Sequence, residues 1–403
     1  MDSLKINKIE KKIAENIQIT GSKSETNRLL VLQQFYPNLK IENVSKSDDS
    51  KLMQKALATT SNEINIGHAG TAMRFLTAYF SVKENSEIIL TGSDRMKDRP
   101  IKILVDALTS LGADIQYLEK EGFPPLKISG KKLEKDIVEI DGNVSSQYIS
   151  ALLLIAPTLK NGLQLKFKDD VTSIPYIKMT LKLLDSVGIT HRWVGKTITV
   201  SPKRKISNKI IEVESDWSSA SYFYSLCALS PNSEITLSTY KKNSLQGDSI
   251  LATMYNRLGV ETIFEDNKLL LKNKNILINR GLNLNLKSAP DIAQTIAVTC
   301  FGLGVECNIR GLHTLKIKET DRLVALKNEL EKLGGEIEIT DESLHLKRSG
   351  TINENISVST YDDHRMAMAF APLATRVSIQ IEDPNVVSKS YPTFWEDFKK
   401  MTR

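Results

Sequence analysis

The polypeptide has 403 residues, 41% hydrophobic and 25% charged, which is the balance of a globular protein with room for two or three domains. Its formal net charge of +6 comes from 54 basic and 48 acidic residues dispersed along the chain, so charge alone does not indicate a nucleic-acid partner. No apolar run approaches the ~20 residues that a membrane-spanning helix needs, and the N-terminal segment lacks the apolar core of a secretory signal. The three cysteines have no metal-ligand spacing and predict buried thiols in a reducing cytoplasm.

Helix-like and strand-like segments alternate along the chain, which predicts the α/β class. Short apolar runs typical of strands occur at 87–90, 163–167 and 269–271. Four amphipathic helices end in an apolar–glycine step directly before a strand, and each glycine is expected to adopt the positive φ of a sharp helix end. These glycines are Gly112, Gly188, Gly259 and Gly334. One such step is common in α/β proteins, but four at nearly equal spacing predict duplicated subdomains.

Small polar and basic residues stand at the starts of six apolar helical runs. The six segments are 21–24, 67–71, 95–99, 145–147, 318–322 and 362–365. A helix N-terminus carries unpaired N–H groups and the positive end of the dipole, so it favours phosphate or carboxylate. Helix capping explains serine, threonine and aspartate there without any ligand, but it does not explain Lys23, Arg99 or Arg322, whose charge opposes the dipole. The pattern therefore indicates a protein that binds small anions. Pro100 is expected at the first position of its helix.

The common cofactor motifs are missing from the sequence. The segment Thr20-Gly21-Ser22-Lys23-Ser24 lacks the early glycine and the Gly-Lys-Ser/Thr order of a Walker loop. No Gly-x-Gly-x-x-Gly follows a strand, and the five histidines are scattered without zinc spacing. The sequence therefore predicts neither a nucleotide cofactor nor a metal.

Eight phrases in order along nearly the whole chain resemble the 5-enolpyruvylshikimate-3-phosphate synthase family of enolpyruvyl transferases. The phrases are Gly21-Ser22-Lys23-Ser24-x-x-Asn27-Arg28, Ala69-Gly70-Thr71-Ala72-Met73-Arg74, Arg95-Met96-Lys97-Asp98-Arg99-Pro100, Ser145-Ser146-Gln147, Asp216-Trp217-Ser218-Ser219-Ala220-Ser221-Tyr222, Asn243-Ser244-Leu245-Gln246-Gly247-Asp248, Lys318-Glu319-Thr320-Asp321-Arg322 and Asp363-His364-Arg365-Met366-Ala367-Met368. One phrase alone would be weak support, whereas eight in the family's order make a specific match.

The resemblance implies a two-domain, inside-out α/β barrel in which each domain contains three repeated βαβαββ-like units. The first domain would comprise residues 21–214 and the second residues 1–20 with 215–403, with a hinge near residues 20 and 214. The family transfers the enolpyruvyl group of phosphoenolpyruvate to the 5-hydroxyl of shikimate 3-phosphate and releases phosphate, on the pathway to chorismate and the aromatic amino acids. The resemblance also implies a cytoplasmic monomer that uses no metal or organic cofactor and binds neither nucleic acid nor membrane.

The resemblance assigns roles to particular residues. Asp291 would accept the proton of the 5-hydroxyl, Glu319 would handle the proton gained and lost at the methylene carbon, and Lys23 would complete the catalytic set. The residues implied for shikimate 3-phosphate are Lys23, Ser24, Arg28, Ser145, Ser146, Gln147, Ser173, Tyr176, Asp291, Thr314 and Lys318. Those implied for phosphoenolpyruvate are Lys23, Gly70, Arg99, Gln147, Arg322, Arg365 and Lys389. Addition and elimination require one group acting at oxygen and one at carbon, which two carboxylates can supply.

Each role has a local alternative. Asp291 follows a proline as an ordinary helix-start acid, and Glu319 with Arg322 has the spacing of a surface ion pair.

The sequence departs from the family at three positions. His68 and Phe75 stand in place of the family's usual asparagine and proline, and Thr314 stands where the family has a substrate-binding asparagine or similar residue. Enolpyruvyl transfer to a UDP-amino sugar is the nearest rival, although segment 93–100 lacks the reactive cysteine of that family. A non-enzymatic anion or nucleic-acid binder is the rival from another class.

Overall fold

The computed structural model describes residues 2–171 and 174–402. Its chain forms two compact units, one from Gly21–Val213 and the other from Met1–Thr20 together with Glu214–Arg403. The second unit is therefore assembled from two separate pieces of the chain.

Strands and helices alternate through the described residues, and both are short. The strands are β1 (Ser3–Ile6), β2 (Ala14–Ile17), β3 (Leu39–Glu42), β4 (Glu63–Asn65), β5 (Ser86–Thr91), β6 (Asp114–Tyr117), β7 (Leu126–Gly130), β8 (Ile137–Ile140), β9 (Leu163–Phe167), β10 (His191–Val194), β11 (Thr197–Val200), β12 (Lys209–Glu212), β13 (Glu234–Ser238), β14 (Val260–Glu265), β15 (Lys268–Asn273), β16 (Leu282–Asn285), β17 (Cys307–Arg310), β18 (Ile337–Ile339), β19 (Ser343–Leu346), β20 (Ile356–Val358) and β21 (Ile379–Glu382). The α-helices are α1 (Lys23–Phe35), α2 (Asp48–Ala58), α3 (Gly70–Val82), α4 (Asp94–Lys97), α5 (Lys102–Ser110), α6 (Ser146–Ile155), α7 (Ile174–Ser186), α8 (Trp217–Leu229), α9 (Leu251–Asn256), α10 (Ala293–Leu303), α11 (Arg322–Lys332), α12 (His364–Phe370) and α13 (Phe394–Thr402). Short 3-10 helices lie at 156–158, 247–250, 290–292, 313–317, 371–375 and 384–389.

One sheet pattern recurs four times in the described residues. The sheets have the orders β4-β5-β7-β6, β8-β9-β11-β10, β2-β13-β15-β14 and β16-β17-β19-β18. In each, the first two strands are parallel and the remaining pairs are antiparallel, as in the register Glu63↔Ile89 for the parallel pair β4 and β5. Parallel neighbours need a crossover helix, whereas antiparallel neighbours are joined by tight turns. This gives the βαβαββ order implied by the family resemblance, and its recurrence agrees with the duplicated subdomains predicted from the helix–glycine–strand step.

Two smaller sheets join segments that are distant in sequence. Strand β1 pairs with β21, which pairs in turn with β20, so the N-terminal segment completes a sheet of the C-terminal part. Strand β12 pairs in parallel with β3 and so joins the last strand of the unit Gly21–Val213 to its beginning.

The most buried helices occupy the interior, and sheets cover them. Every residue of α12 is buried, as are nearly all residues of α3, α6, α8 and α10. Helices that are apolar on all sides belong in a core. Strands such as β8 and β16 alternate buried and exposed residues, as expected for sheets that cover a core with one face. The inside-out α/β fold is therefore confirmed.

Glycines at the helix–strand steps have the conformation expected for them. Gly112, Gly188, Gly259 and Gly334 all have positive φ, between 78° and 107°. The expectation for Pro100 is wrong, because α5 begins only at Lys102 and the preceding segment forms the single turn α4.

The prediction that the cysteines are buried is confirmed, since Cys227, Cys300 and Cys307 are free thiols in the hydrophobic core. Within the described part of the chain, no helix is long and apolar enough to cross a membrane. The same residues contain no group of three or more His, Cys, Asp or Glu side chains that could hold a metal ion.

Candidate active site

In the unit Gly21–Val213, Arg28 joins three helices near their N-terminal ends. Its Nε donates to Thr180 Oγ1 at 2.7 Å, and its Nη2 donates to Ser150 Oγ at 3.1 Å. Arg28, Ser150 and Thr180 all lie within about two turns of the starts of α1, α6 and α7. The N-termini of these three helices therefore meet at one end of the unit, where their dipoles favour an anion.

The Arg28 guanidinium is buried and its charge has no carboxylate partner in an ion pair among the described residues. Its remaining nitrogen donates to the carbonyl of Ser24 at 2.8 Å, and its Cζ lies 5.3 Å from the centre of the Phe75 ring. Burial lowers the pKa of Arg28 to about 10, so it stays charged at neutral pH. A buried cation held by neutral acceptors is a suitable seat for a phosphate or carboxylate.

Lys23 lies in the first turn of α1, whose cap is Ser22. Its Nζ is 3.2 Å from Oδ2 of Asp49, which is buried in α2. Asp49 was not predicted from the sequence, since acidic residues are ordinary in the first turn of a helix and nothing local links it to Lys23. The ion pair holds the ammonium group of Lys23 at the start of α1.

Arg99 lies against the start of α3. A β-carbon placed on Gly70 would lie only 2.4 Å from Nη1 of Arg99, so the absence of a side chain at Gly70 leaves room for the guanidinium. Arg74 supports this arrangement, because its Nη2 donates to the Pro100 carbonyl at 2.9 Å and its Nη1 to the Gly70 carbonyl at 3.2 Å. Burial, with the charge of Arg99, lowers the pKa of Arg74 to about 10. Arg74 is a structural cation that ties α3 to the segment carrying Arg99.

The start of α6 is bound to the start of α3. Nε2 of Gln147 donates to Oγ1 of Thr71 at 3.1 Å, while Ser145 caps α6 by accepting from the Gln147 N–H at 3.4 Å. Ser145 is therefore the N-cap of α6, a role that needs no ligand. Ser146 is buried in the first turn of α6. The Tyr176 carbonyl accepts from Arg28 at 3.4 Å; Ser173 lies outside the described residues.

In the other unit, α8, α10 and α12 also start at a common end. Nη2 of Arg365, the second residue of α12, is 3.4 Å from Oγ of Ser218, the second residue of α8. Nε2 of Gln294, near the start of α10, is 3.5 Å from Sδ of Met366. Some helix starts in each unit are accessible to a ligand. The second residue of α3 and of α6 in the unit Gly21–Val213, and of α8 in the other unit, is partly exposed, although the residues directly before and after it are buried. The residues in question are Thr71, Gln147 and Ser218.

Arg322 is the centre of a charged cluster at this end. It is 2% exposed and binds three carboxylates, with Nε–Asp363 at 2.6 Å, Nη1–Asp291 at 3.0 Å and Nη2–Glu319 at 2.8 Å. Burial acts to lower the pKa of Arg322, but these carboxylates outweigh it and raise the pKa. The Glu319–Arg322 contact has the spacing of a surface pair, but Arg322 is buried and the Glu319 side chain is only 20% exposed, so the alternative of a simple surface pair is wrong.

Asp291 is surrounded by cations on both oxygens. Oδ1 is 3.0 Å from Arg322 and 3.4 Å from Nζ of Lys318, and Oδ2 is 3.1 Å from Nη2 of Arg365. Burial acts to raise the pKa of Asp291, but the charges of Arg365, Lys318 and Arg322 together hold it well below its usual range. The carboxyl is therefore ionised at neutral pH.

Glu319 is bound on both oxygens as well. Oε2 contacts Arg322, and Oε1 is 2.6 Å from Nζ of Lys389, in the 3-10 helix 384–389. Burial acts to raise the pKa of Glu319, whereas Arg322 and Lys389, followed by His364, hold it well below its usual range. Two carboxylates are thus joined through one guanidinium.

Several buried polar atoms at this end have no hydrogen-bond partner among the described residues. They include Oγ1 of Thr314, Nε of Arg365, Oδ1 of Asp248 and Oε1 of Gln294. Buried polar groups are nearly always hydrogen-bonded, so atoms of this kind suit a ligand. The other oxygen of Asp248 accepts a short hydrogen bond from Ser218.

Asp363, Asp248 and Ser218 were not assigned as site residues from the sequence. Asp363 was visible only as a helix-start acid before His364, and it does cap α12 by accepting from the Arg365 N–H at 2.8 Å. Its fully buried contact with Arg322 depends on packing between α11 and α12, which no local pattern indicates.

Each unit of this α/β protein therefore gathers helix N-termini and buried cations at one end, an arrangement typical of enzymes for small phosphorylated and carboxylated substrates. Residues 53–398 match the sequence model of EPSP synthase (3-phosphoshikimate 1-carboxyvinyltransferase). The 3-phosphoshikimate 1-carboxyvinyltransferase of Bacteroides fragilis is 45% identical over 393 residues, covering 96% of this chain and 95% of its own. The protein of the same name from Mannheimia haemolytica is 34% identical over 438 residues and the full length of both chains.

Solved structures agree on the fold. EPSP synthase from Acinetobacter baumannii superposes with a TM-score of 0.83 at 18% identity, covering 99% of this chain and 98% of that one. The enolpyruvyl transferase NikO from Streptomyces tendae has a TM-score of 0.75 at 13% identity, covering 99% and 97%.

The chain belongs to the EPSP synthase family. It is an enolpyruvyl transferase that moves the carboxyvinyl group of phosphoenolpyruvate to the 5-hydroxyl of shikimate 3-phosphate and releases phosphate, a step of the shikimate pathway to aromatic amino acids. The rival acceptor, a UDP-amino sugar, is not favoured.

Proposed function

We propose that Asp291 and Glu319 are the acid–base pair of this transfer and that Arg322 fixes the positions of the two carboxylates relative to each other. The observation that carries the proposal is the shared guanidinium: Nη1 of Arg322 binds Asp291 at 3.0 Å and Nη2 binds Glu319 at 2.8 Å. The reaction needs two groups that act together, one at the hydroxyl oxygen and one at the methylene carbon.

In the addition step, the 5-hydroxyl oxygen bonds to C2 of phosphoenolpyruvate while its proton passes to Asp291. Glu319 takes up a proton once the anionic substrates have raised its pKa, and it passes this proton to C3, which becomes a methyl group. In the elimination step, Glu319 takes a proton back from C3 and the C2–O bond to phosphate breaks, with the proton on Asp291 available to the departing phosphate. Each carboxyl is thereby restored.

Electrostatics couples this proton transfer to substrate binding. In the protein alone, cations hold the pKa values of both carboxyls below their usual range. An anionic substrate that engages Arg365 and Lys389 offsets their charge and raises both pKa values. Unit charges about 4 Å apart interact by about 4 kcal/mol at an effective dielectric near 20, which corresponds to a change of about 3 in pKa. The carboxyls become stronger bases when the substrates are in place.

We assign substrate binding to the two sets of helix N-termini and cations described above, one in each unit. For phosphoenolpyruvate we propose Arg322, Arg365 and Lys389 in one unit, and Lys23, the Gly70 backbone, Arg99 and Gln147 in the other. For shikimate 3-phosphate we propose Lys23, Ser24, Arg28, Ser145, Ser146, Gln147 and Tyr176, together with Asp291, Thr314 and Lys318; Ser173 is proposed on sequence alone. The buried charge of Arg28 and the unpartnered hydroxyl of Thr314 support these roles.

Phosphate release with both substrates, and with each omitted in turn, tests the activity. Asp291→Asn and Glu319→Gln should each lower kcat by about 10²–10⁴-fold, the usual scale for acid–base groups. Asp341→Asn is the matched control, because Asp341 is an exposed acid paired only with Lys316 in the described structure. Near-parent kcat in both variants would show that the assigned roles are wrong. Phosphate release that required a UDP-amino sugar instead of shikimate 3-phosphate would show that shikimate 3-phosphate is not the acceptor.

We also propose that residues 1–20 with 214–403 and residues 21–213 are separate domains, which the contact pattern supports. The protein is proposed to act as a cytoplasmic monomer without a nucleic-acid partner. Buried free thiols support a reducing compartment. Light scattering coupled to gel filtration tests the oligomeric state, since a mass of twice 45.1 kDa would contradict a monomer.

A further inference from the structure

A fully buried carboxylate, Glu329, lies outside the charged cluster but on the helix that starts with Arg322. The two residues are seven positions apart in α11, so they share one face of the helix about two turns, or ~10 Å, apart. Arg322 faces the catalytic carboxylates, whereas Glu329 faces the segment that follows β20.

Glu329 holds that segment through both oxygens. Oε1 accepts from the Tyr361 hydroxyl at 2.7 Å, and Oε2 accepts from the backbone N–H of Ser359 at 3.1 Å. Oε2 also pairs with Lys332, whose Nζ donates to the Ser357 carbonyl at 3.0 Å. The end of α11 is therefore bound to the segment 357–361 at several points.

The segment continues into a turn with an unfavourable backbone. Tyr361 and Asp362 both have φ of 54°, a left-handed conformation that is unfavourable for a bulky side chain such as that of Tyr361. Such a conformation persists only where surrounding contacts impose it. The next residue, Asp363, binds Nε of Arg322 at 2.6 Å and caps the helix that carries Arg365.

We propose that Glu329 is a positioning residue for the enolpyruvyl transfer, acting with Tyr361 to fix the turn 359–363 along α11. Two contacts between α11 and this turn set the position of the Asp363 carboxylate. One is the Arg322–Asp363 pair at the start of α11, and the other is the Glu329–Tyr361 hydrogen bond two turns further along the helix. That carboxylate in turn aims Arg322 at its two catalytic partners and sets the first turn of α12. The inference rests on the roles proposed above for Asp291, Glu319, Arg322 and Arg365.

The test compares Glu329→Gln and Tyr361→Phe with Glu331→Gln, a control on the same helix whose exposed carboxylate pairs with Lys327. Phosphate release is measured with phosphoenolpyruvate varied at saturating shikimate 3-phosphate. We expect kcat/KM for phosphoenolpyruvate to fall about 10–100-fold in Glu329→Gln, the range for hydrogen bonds to a charged group. The fall in Tyr361→Phe should be smaller, about 3–10-fold, because Glu329 keeps its contacts with Ser359 and Lys332. Glu331→Gln should stay within about twofold, as expected for an exposed pair.

A double-mutant cycle separates positioning from a merely structural role. If Glu329 acts through Asp363, then Glu329→Gln should cost at least about threefold less in an Asp363→Asn background than in the parent. Equal costs in both backgrounds, or parent-like kcat/KM in folded Glu329→Gln and Tyr361→Phe, would overturn the proposal. If Glu329→Gln does not fold, Tyr361→Phe decides alone, since it removes one hydroxyl from a partly exposed ring. A parent protein without turnover would instead contradict the function itself.

Discussion

Replacing Gly70 with alanine tests whether the start of α3 positions Arg99 for phosphoenolpyruvate. The added β-carbon would lie 2.4 Å from Nη1, 2.7 Å from Nη2 and 2.8 Å from Cζ of Arg99. Non-bonded atoms settle near 3.5 Å, so the guanidinium must move by about 1 Å. The backbone at Gly70 is helical and accepts alanine without strain.

The expected result is a loss of substrate affinity in a protein that is as stable as the parent. A hydrogen bond between charged groups contributes about 1.5–3 kcal/mol, so its loss should raise KM for phosphoenolpyruvate about 10–100-fold. We expect kcat to change less than about threefold, because Asp291 and Glu319 belong to the other unit. The melting temperature should not fall, since alanine is favoured over glycine in helices by up to about 1 kcal/mol.

The assay is phosphate release with phosphoenolpyruvate varied at saturating shikimate 3-phosphate. Gly350→Ala is the matched control, because a β-carbon there meets no atom within 4 Å. In an Arg99→Ala background, Gly70→Ala should add almost nothing to KM, since its target is gone. An equal rise in KM with and without the Arg99 side chain would refute the reasoning, as would an unchanged KM in Gly70→Ala alone.

Two further predictions concern buried charges. Arg28→Lys should raise the Kd for shikimate 3-phosphate at least about tenfold, because a lysine cannot reproduce a guanidinium that bonds Thr180, Ser150 and the Ser24 carbonyl. Calorimetric titration measures this Kd, and a parent-like affinity would show that Arg28 does not bind the substrate. Burial, with the nearby charge of Asp291, raises the pKa of Asp248 to about 6, so the folded protein keeps a proton that the unfolded chain loses near 4. The contribution of Asp248 to stability should therefore fall between about pH 4 and pH 7, so Asp248→Asn should gain about 2–3 kcal/mol relative to the parent over that range in urea unfolding. A difference that did not change with pH would show that Asp248 titrates normally.

Local sequence patterns determined the class of fold and the kind of ligand. A helix that ends in glycine before a strand can be recognised without any tertiary contact, because the positive φ is a property of the backbone at that residue. Cations at helix starts are equally local, since they oppose a dipole that the helix itself creates. Gly188 and Gly334 have the expected φ, and Lys23 and Arg322 do stand in first turns.

Tertiary structure alone decided which charges meet. Asp291, Glu319 and Asp363 come from different segments, and they share one guanidinium because buried helices start at a common end. Packing also binds Arg74 to the Pro100 carbonyl, a contact that no local pattern indicates. Glu329 reads as an ordinary helix acid, and only its contacts with Ser359 and Tyr361 distinguish it. The energies of buried ion pairs depend on partners brought from far along the chain and on the water removed between them, and a local pattern contains neither.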